Sequence, residues 1–127
     1  EALAADARAE TEGPVTVAIH GGRGQLFVQS FSADGSPLGE PAAVPADGAA
    51  SAVPPEADFL TGNAAGEVAA ALGRPIETGL DRATGSIRTV ARLGEVSGRA
   101  PVPLYLRGAD AKPQTGFALP RADSENA

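Results

Sequence analysis

His20, the single histidine of the chain, stands in front of Gly21-Gly22-Arg23-Gly24. An imidazole at a strand end can act as a general base or hold a metal ion. One histidine cannot build a two-histidine zinc site, and there is no cysteine to help it. A base also needs partners held in geometry. No Ser-His-Asp set can be assigned from sequence, although Ser30, Ser32 and several aspartates are present. The glycine run could cradle a phosphate, but it leads into another strand pattern and lacks both the GxxxxGKS/T and GxGxxG spacings. A tight turn accounts for it. Thr61-Gly62-Asn63-Ala64-Ala65 joins a strand pattern to a helical one, and Asn63 is expected to cap that helix, which explains the segment without a ligand.

The remaining charged residues offer less. Glu67, Glu77, Asp81 and Glu95 show no spacing that argues for glycosidase or metal chemistry and read as solvated acids. Arg74, Arg82, Arg88, Arg92 and Arg99 could form a basic face around the later helix. Near the C-terminus, Leu104-Tyr105-Leu106 is followed by Arg107, Asp110 and Lys112. Such a run offers the amphipathic and guanidinium contacts that interfaces favour, so Tyr105, Arg107, Asp110 and Lys112 are the candidate partner-binding residues. No catalytic residue, metal ligand or cofactor is assigned.

Elements that could position these residues follow from pattern. Glu1 to Ala9 is rich in strong helix formers and is closed by Gly13-Pro14. Val15 to Ile19 alternates β-branched residues and predicts a strand; His20 to Gly24 is a turn; Gln25 to Phe31 is a second strand. Asp34-Gly35 marks a hairpin turn, because positive φ is cheap there. A third strand is expected near Pro37 to Val44, completing an antiparallel meander. Pro41 to Pro55 reads as a loop with a helical turn near Ala46 to Ala52. Asp58 to Gly62 is a short strand, Ala64 to Leu72 a helix ending at Gly73, and Pro75 to Thr78 another short strand. The clearest helix covers 84 to 96, with Ile87, Val90, Ala91, Leu93 and Gly94 close to helical spacing and Arg88 and Arg92 on its polar face. A last short strand is expected at Leu104 to Leu106. The predicted class is α/β, a mixed sheet that starts with a three-stranded antiparallel meander and is flanked by helices.

Bulk composition narrows the function. With 127 residues the chain suits one domain, and its 43% hydrophobic content is largely alanine, so a thin core is expected. A formal charge of -6 argues against nonspecific phosphate-backbone binding, which needs clustered Lys and Arg. No apolar run approaches the roughly 20 residues that span a bilayer. The absence of cysteine removes disulfide and thiolate chemistry and fits a cytoplasmic protein. There is no methionine, and the chain opens inside a helical pattern without an N-cap residue. It is therefore expected to be the later part of a longer protein.

Several segments resemble the TsaB (YeaZ) family, in the family's order. The helix end at Leu3 to Ala9, the hairpin Val15 to Phe31, the turn Asp34-Gly35-Ser36-Pro37-Leu38, Phe59-Leu60-Thr61-Gly62-Asn63-Ala64, the helix at 82 to 94 and the closing Pro103-Leu104-Tyr105-Leu106-Arg107 carry the resemblance. It covers nearly the whole chain but only the C-terminal half of a family member. Where the family has Asp-Ala-Arg in its hairpin, this chain has His20-Gly21-Gly22, and only Arg23 and Gly24 match. The resemblance implies an actin-like (RNase H-like) lobe over residues 1–112, without the N-terminal lobe; residues 113–127 are polar and Pro-interrupted and are expected to be a mobile tail. It implies a non-catalytic scaffold or activator subunit in tRNA N6-threonylcarbamoyladenosine biosynthesis. Implied partners are the catalytic glycoprotease-like subunit, its small ATPase and, as an option, a second copy of the intact protein. Neither direct nucleic-acid contact nor a membrane is expected. The alternatives are a glycoprotease-like hydrolase and a nucleotide-binding half-domain.

Overall fold

Alternation through Val15-Thr16-Val17-Ala18-Ile19 sends successive side chains to opposite faces of a strand, and both faces are apolar enough to be covered. The computed structural model describes residues 1–100, Leu104 and Leu106. In it this segment is the central strand β1 (Val15–Gly22) of a five-stranded mixed sheet. The order is β3-β2-β1-β4-β5, with β2 at Gln25–Phe31, β3 at Ala42–Pro45, β4 at Phe59–Thr61 and β5 at Glu77–Gly79. β1 pairs antiparallel with β2, and β2 with β3, which is the expected meander. β4 joins β1 in parallel, and β5 joins β4 in parallel.

Each face of the sheet has its own layer. On one side Leu3, Ala4 and Ala7, from α1 (Ala2–Asp6) and the 3-10 turn that continues it, pack on Val15, Val17, Phe31 and Phe59. On the other, the 3-10 segment Ala46–Ala52 and α2 (Ala65–Ala71) pack on Ala18, Leu26, Val28 and Leu60. α3 (Ile87–Ser97) lies beside α1. The α/β class with a mixed sheet and flanking helices is what the pattern predicts. Among the described residues no helix is long and apolar enough to cross a membrane.

Several boundaries differ from expectation; β5, expected at Pro75 to Thr78, is Glu77–Gly79. β1 runs on through His20 to Gly22, and its register with β2 shifts between those two residues, so the turn is only Arg23 and Gly24, both at positive φ. Pro37 makes an isolated bridge to Phe31, and the third strand proper starts at Ala42; prolines at 37 and 41 have no N–H for a ladder. α3 starts three residues later than predicted, where Ser86 accepts a hydrogen bond from the Thr89 amide at 3.2 Å. Leu104 and Leu106 carry no strand assignment, and Tyr105 between them lies outside the described residues, as does 113–127. The Asp34 turn forms as expected. Its carboxylate accepts from the Ser32 hydroxyl and from the Ser36 amide, and these bonds, the Ser32 hydroxyl first, pull its pKa down to about 2.

Candidate functional site

In a sheet with parallel strands, ligand crevices form beyond the strands' carboxyl ends. β1, β4 and β5 run parallel here, and their C-terminal ends open on a cavity of about 350 Å³. His20 comes from the end of β1, Gly62 and Asn63 from the turn after β4, Glu67 from the first turn of α2, and Thr78 and Asp81 from β5 and the segment after it. The His20 Nε2 atom stands 3.0 Å from Glu67 Oε1, with both side chains about half exposed.

The turn that carries Asn63 is tied into the sheet by backbone bonds. Ala64 donates to the Ala18 carbonyl at 3.1 Å, and Gly62 donates to the Leu80 carbonyl at 3.2 Å. Gly62 has φ 110°, and a Cβ there would fall 2.1 Å from the Ala18 carbonyl oxygen. Only glycine fits that crossing. Asn63 does not cap α2. Its Oδ1 accepts the His20 backbone amide at 2.9 Å, and the residue at the helix N-cap is Ala64, with no side-chain cap bond. The asparagine thus fixes the end of β1, so the His20 ring projects from an anchored backbone.

An imidazole beside a carboxylate has one tautomer favoured and can pass a proton. Among the described residues, Thr78 is the one hydroxyl that lines the same cavity. Among the described residues no group of three or more His, Asp or Glu side chains gathers as a metal centre. By sequence Glu67 and Asp81 read as solvated acids; the structure puts both in the cavity with His20, while Glu77 and Glu95 are not among its lining residues. The five arginines do not form one basic face. Arg74 donates to the carbonyls of Pro54 and Ala57, Arg82 pairs with Asp6 at 2.7 Å, and Arg99 reaches Glu1 at 3.5 Å. The candidate partner-binding residues Tyr105, Arg107, Asp110 and Lys112 lie outside the described residues.

No protein-family model matches the sequence, and no curated protein matches it. Solved structures do. One, a crystal structure of an uncharacterized protein with similarity to peptidase YeaZ from Pseudomonas aeruginosa, superposes with a TM-score of 0.63 at 22% identity, over 84% of this chain and 56% of that one. The chain has the fold of YeaZ. YeaZ from Pseudomonas aeruginosa itself superposes with a TM-score of 0.58 at 20% identity, over 76% of this chain and 48% of its own. The chain therefore spans about half the length of the YeaZ-like structures it matches.

One feature without a local sequence signal sits on the α1 side of the sheet. Asp6, at the end of α1, accepts from Arg82 Nη2 and the Ser86 amide, each at 2.7 Å, from the Ser86 hydroxyl at 3.2 Å and from the Thr89 hydroxyl. The Thr89 hydroxyl is the main cause holding the Asp6 carboxyl below its usual range; Ser86 and Arg82 add to this, and burial opposes it. Ser86 three residues before Thr89 is a readable N-terminal signature of α3, but its bond to Asp6 has no local trace.

Proposed function

We propose that this chain is one lobe of a TsaB (YeaZ)-like protein, a non-catalytic scaffold or activator in tRNA N6-threonylcarbamoyladenosine biosynthesis. The observation that carries this reading is the fold shared with a YeaZ-like structure over 84% of the chain and with YeaZ over 76%. The strand order β3-β2-β1-β4-β5, antiparallel on one side of β1 and parallel on the other, supports an actin-like (RNase H-like) lobe. In such folds a ligand lies between two lobes, and the His20–Glu67 cavity would then be one wall of that cleft. The implied partners are the catalytic glycoprotease-like subunit and its small ATPase, acting in the cytoplasm.

Nucleoside mass spectrometry of tRNA from cells depleted of the intact gene tests the reading. Threonylcarbamoyladenosine should fall at least about tenfold and recover with the intact gene but not with a version lacking this lobe. An unchanged level of the modification would sink the assignment. Peptide hydrolysis by the purified protein that His20→Ala abolishes would overturn the non-catalytic role.

A further inference from the structure

Two donor atoms of different kinds stand at ligand spacing in the cavity beyond β1, β4 and β5. His20 Nε2 is 3.0 Å from Glu67 Oε1. That is the separation of two cis ligands set at right angles around an ion about 2.1 Å from each. An imidazole nitrogen with a carboxylate oxygen is a mixed set that zinc, nickel and copper accept, whereas magnesium and calcium prefer oxygen alone. Both side chains are about half exposed, so an arriving ion reaches the pair from solvent.

The backbone under each donor is fixed, unlike that of an ordinary surface ion pair. Asn63 Oδ1 accepts the His20 amide at 2.9 Å, and the Ala64 amide, one turn before Glu67, binds the Ala18 carbonyl at 3.1 Å. One turn thus ties both donors to the sheet. Charge in the cavity favours a cation. Glu67 and Asp81 line it, and no Lys or Arg does among the described residues. Asp81 follows Leu80, which has φ 56° and whose carbonyl accepts the Gly62 amide at 3.2 Å and the Arg82 amide at 2.8 Å. A bulky residue in that region of φ is uncommon. The neighbouring guanidinium of Arg82, which would oppose a cation, is taken by Asp6.

We propose that His20 and Glu67 bind a divalent transition-metal ion as a two-ligand site whose remaining positions face the cavity. A closed structural site takes four protein ligands, and an open one usually three. Two ligands leave the ion exchangeable, with a dissociation constant on the order of 10–100 µM. The cavity of about 350 Å³ has room for the waters that complete the coordination, or for an oxygen or nitrogen atom of a molecule that displaces them. Asp81 contributes charge to the site and is not one of the two ligands.

Calorimetric titration of the 127-residue chain with Zn²⁺ and with Ni²⁺ tests the proposal, which does not rest on the functional reading. It is done near pH 7.5, where an ordinary imidazole (pKa about 6.5) is neutral. His20 is the single histidine, so its ring-proton NMR signals report on this site alone. One ion per chain should bind, with those signals shifted by Zn²⁺ and broadened by Ni²⁺. His20→Ala should abolish binding, and Glu67→Gln should weaken it at least about tenfold. Glu77→Gln, an exposed acid that does not line the cavity, should leave it unchanged. Far-UV circular dichroism checks that each variant keeps its fold. No saturable binding up to about 1 mM metal would overturn the proposal. So would equal affinity in Glu67→Gln, which would reduce the site to a lone imidazole, or binding that persists in His20→Ala.

Discussion

Asp6 joins α1 to the start of α3 through four accepted hydrogen bonds from Arg82, Ser86 and Thr89. Such bonds to a largely buried charge are worth about 1.5–3 kcal/mol each when removal leaves a partner unsatisfied. Asp6→Asn keeps one acceptor oxygen but turns an amide donor on groups that are themselves donors. We expect it to lower unfolding free energy by about 2–3 kcal/mol at pH 7, measured by urea denaturation. The carboxyl's folded pKa lies below its ordinary value of 3.8. Its stabilisation is therefore complete above that value and is lost as pH falls through the folded one. The wild type should lose stability below about pH 4, and Asp6→Asn should lose less over the same interval. Equal losses in the two proteins would show that other carboxylates dominate the acid transition. Nothing local in Ala5-Asp6-Ala7 announces this role, because every donor arrives from more than 70 positions away.

Strands and helices were legible where a local rule decides them. β2 is found at the residues its pattern marks, and the Asp-Gly turn forms because glycine accepts φ 90°. The rule failed where a distant partner competes for the same group. Asn63 looks like a cap, yet its side chain is taken by the His20 amide of a neighbouring strand. Gly85 looked like helix interior, but a Cβ there would lie 2.4 Å from the Ala2 Cβ, so it belongs to the packing that brings α1 and α3 together. The turn between β4 and α2 gives the sharpest expectation at this scale. Gly62→Ala forces a methyl group onto the Ala18 carbonyl oxygen, which also accepts the Ala64 amide. The variant should be destabilised by about 2–4 kcal/mol in thermal or chemical unfolding. A loss below about 0.5 kcal/mol would mean that the turn can move away from β1.

At the scale of the whole molecule, burial is uneven. Val15, Thr16 and Ala18 of β1 and Leu60 of β4 are fully buried between two layers, whereas α3 buries only Thr89. Amides of β1 should exchange through global unfolding, and those of α3 through cheaper local opening, in native-state hydrogen exchange. Protection in α3 equal to that in β1 at low protein concentration would contradict this. The mixed sheet was readable because strand, turn and helix signals follow one another in order. The candidate site was readable only in part: His20 drew notice by being alone, but Glu67 reaches it only once β4 has brought α2 beside β1. The Asp6 clasp also bears on the time course of synthesis. Thr89 follows Asp6 by 83 positions. At roughly 5–20 residues per second a nascent chain carries the uncapped carboxylate for several seconds before its donors emerge. During that interval α1 can lie on the sheet through Leu3, Ala4 and Ala7 alone, and the clasp can close only once α3 has been made.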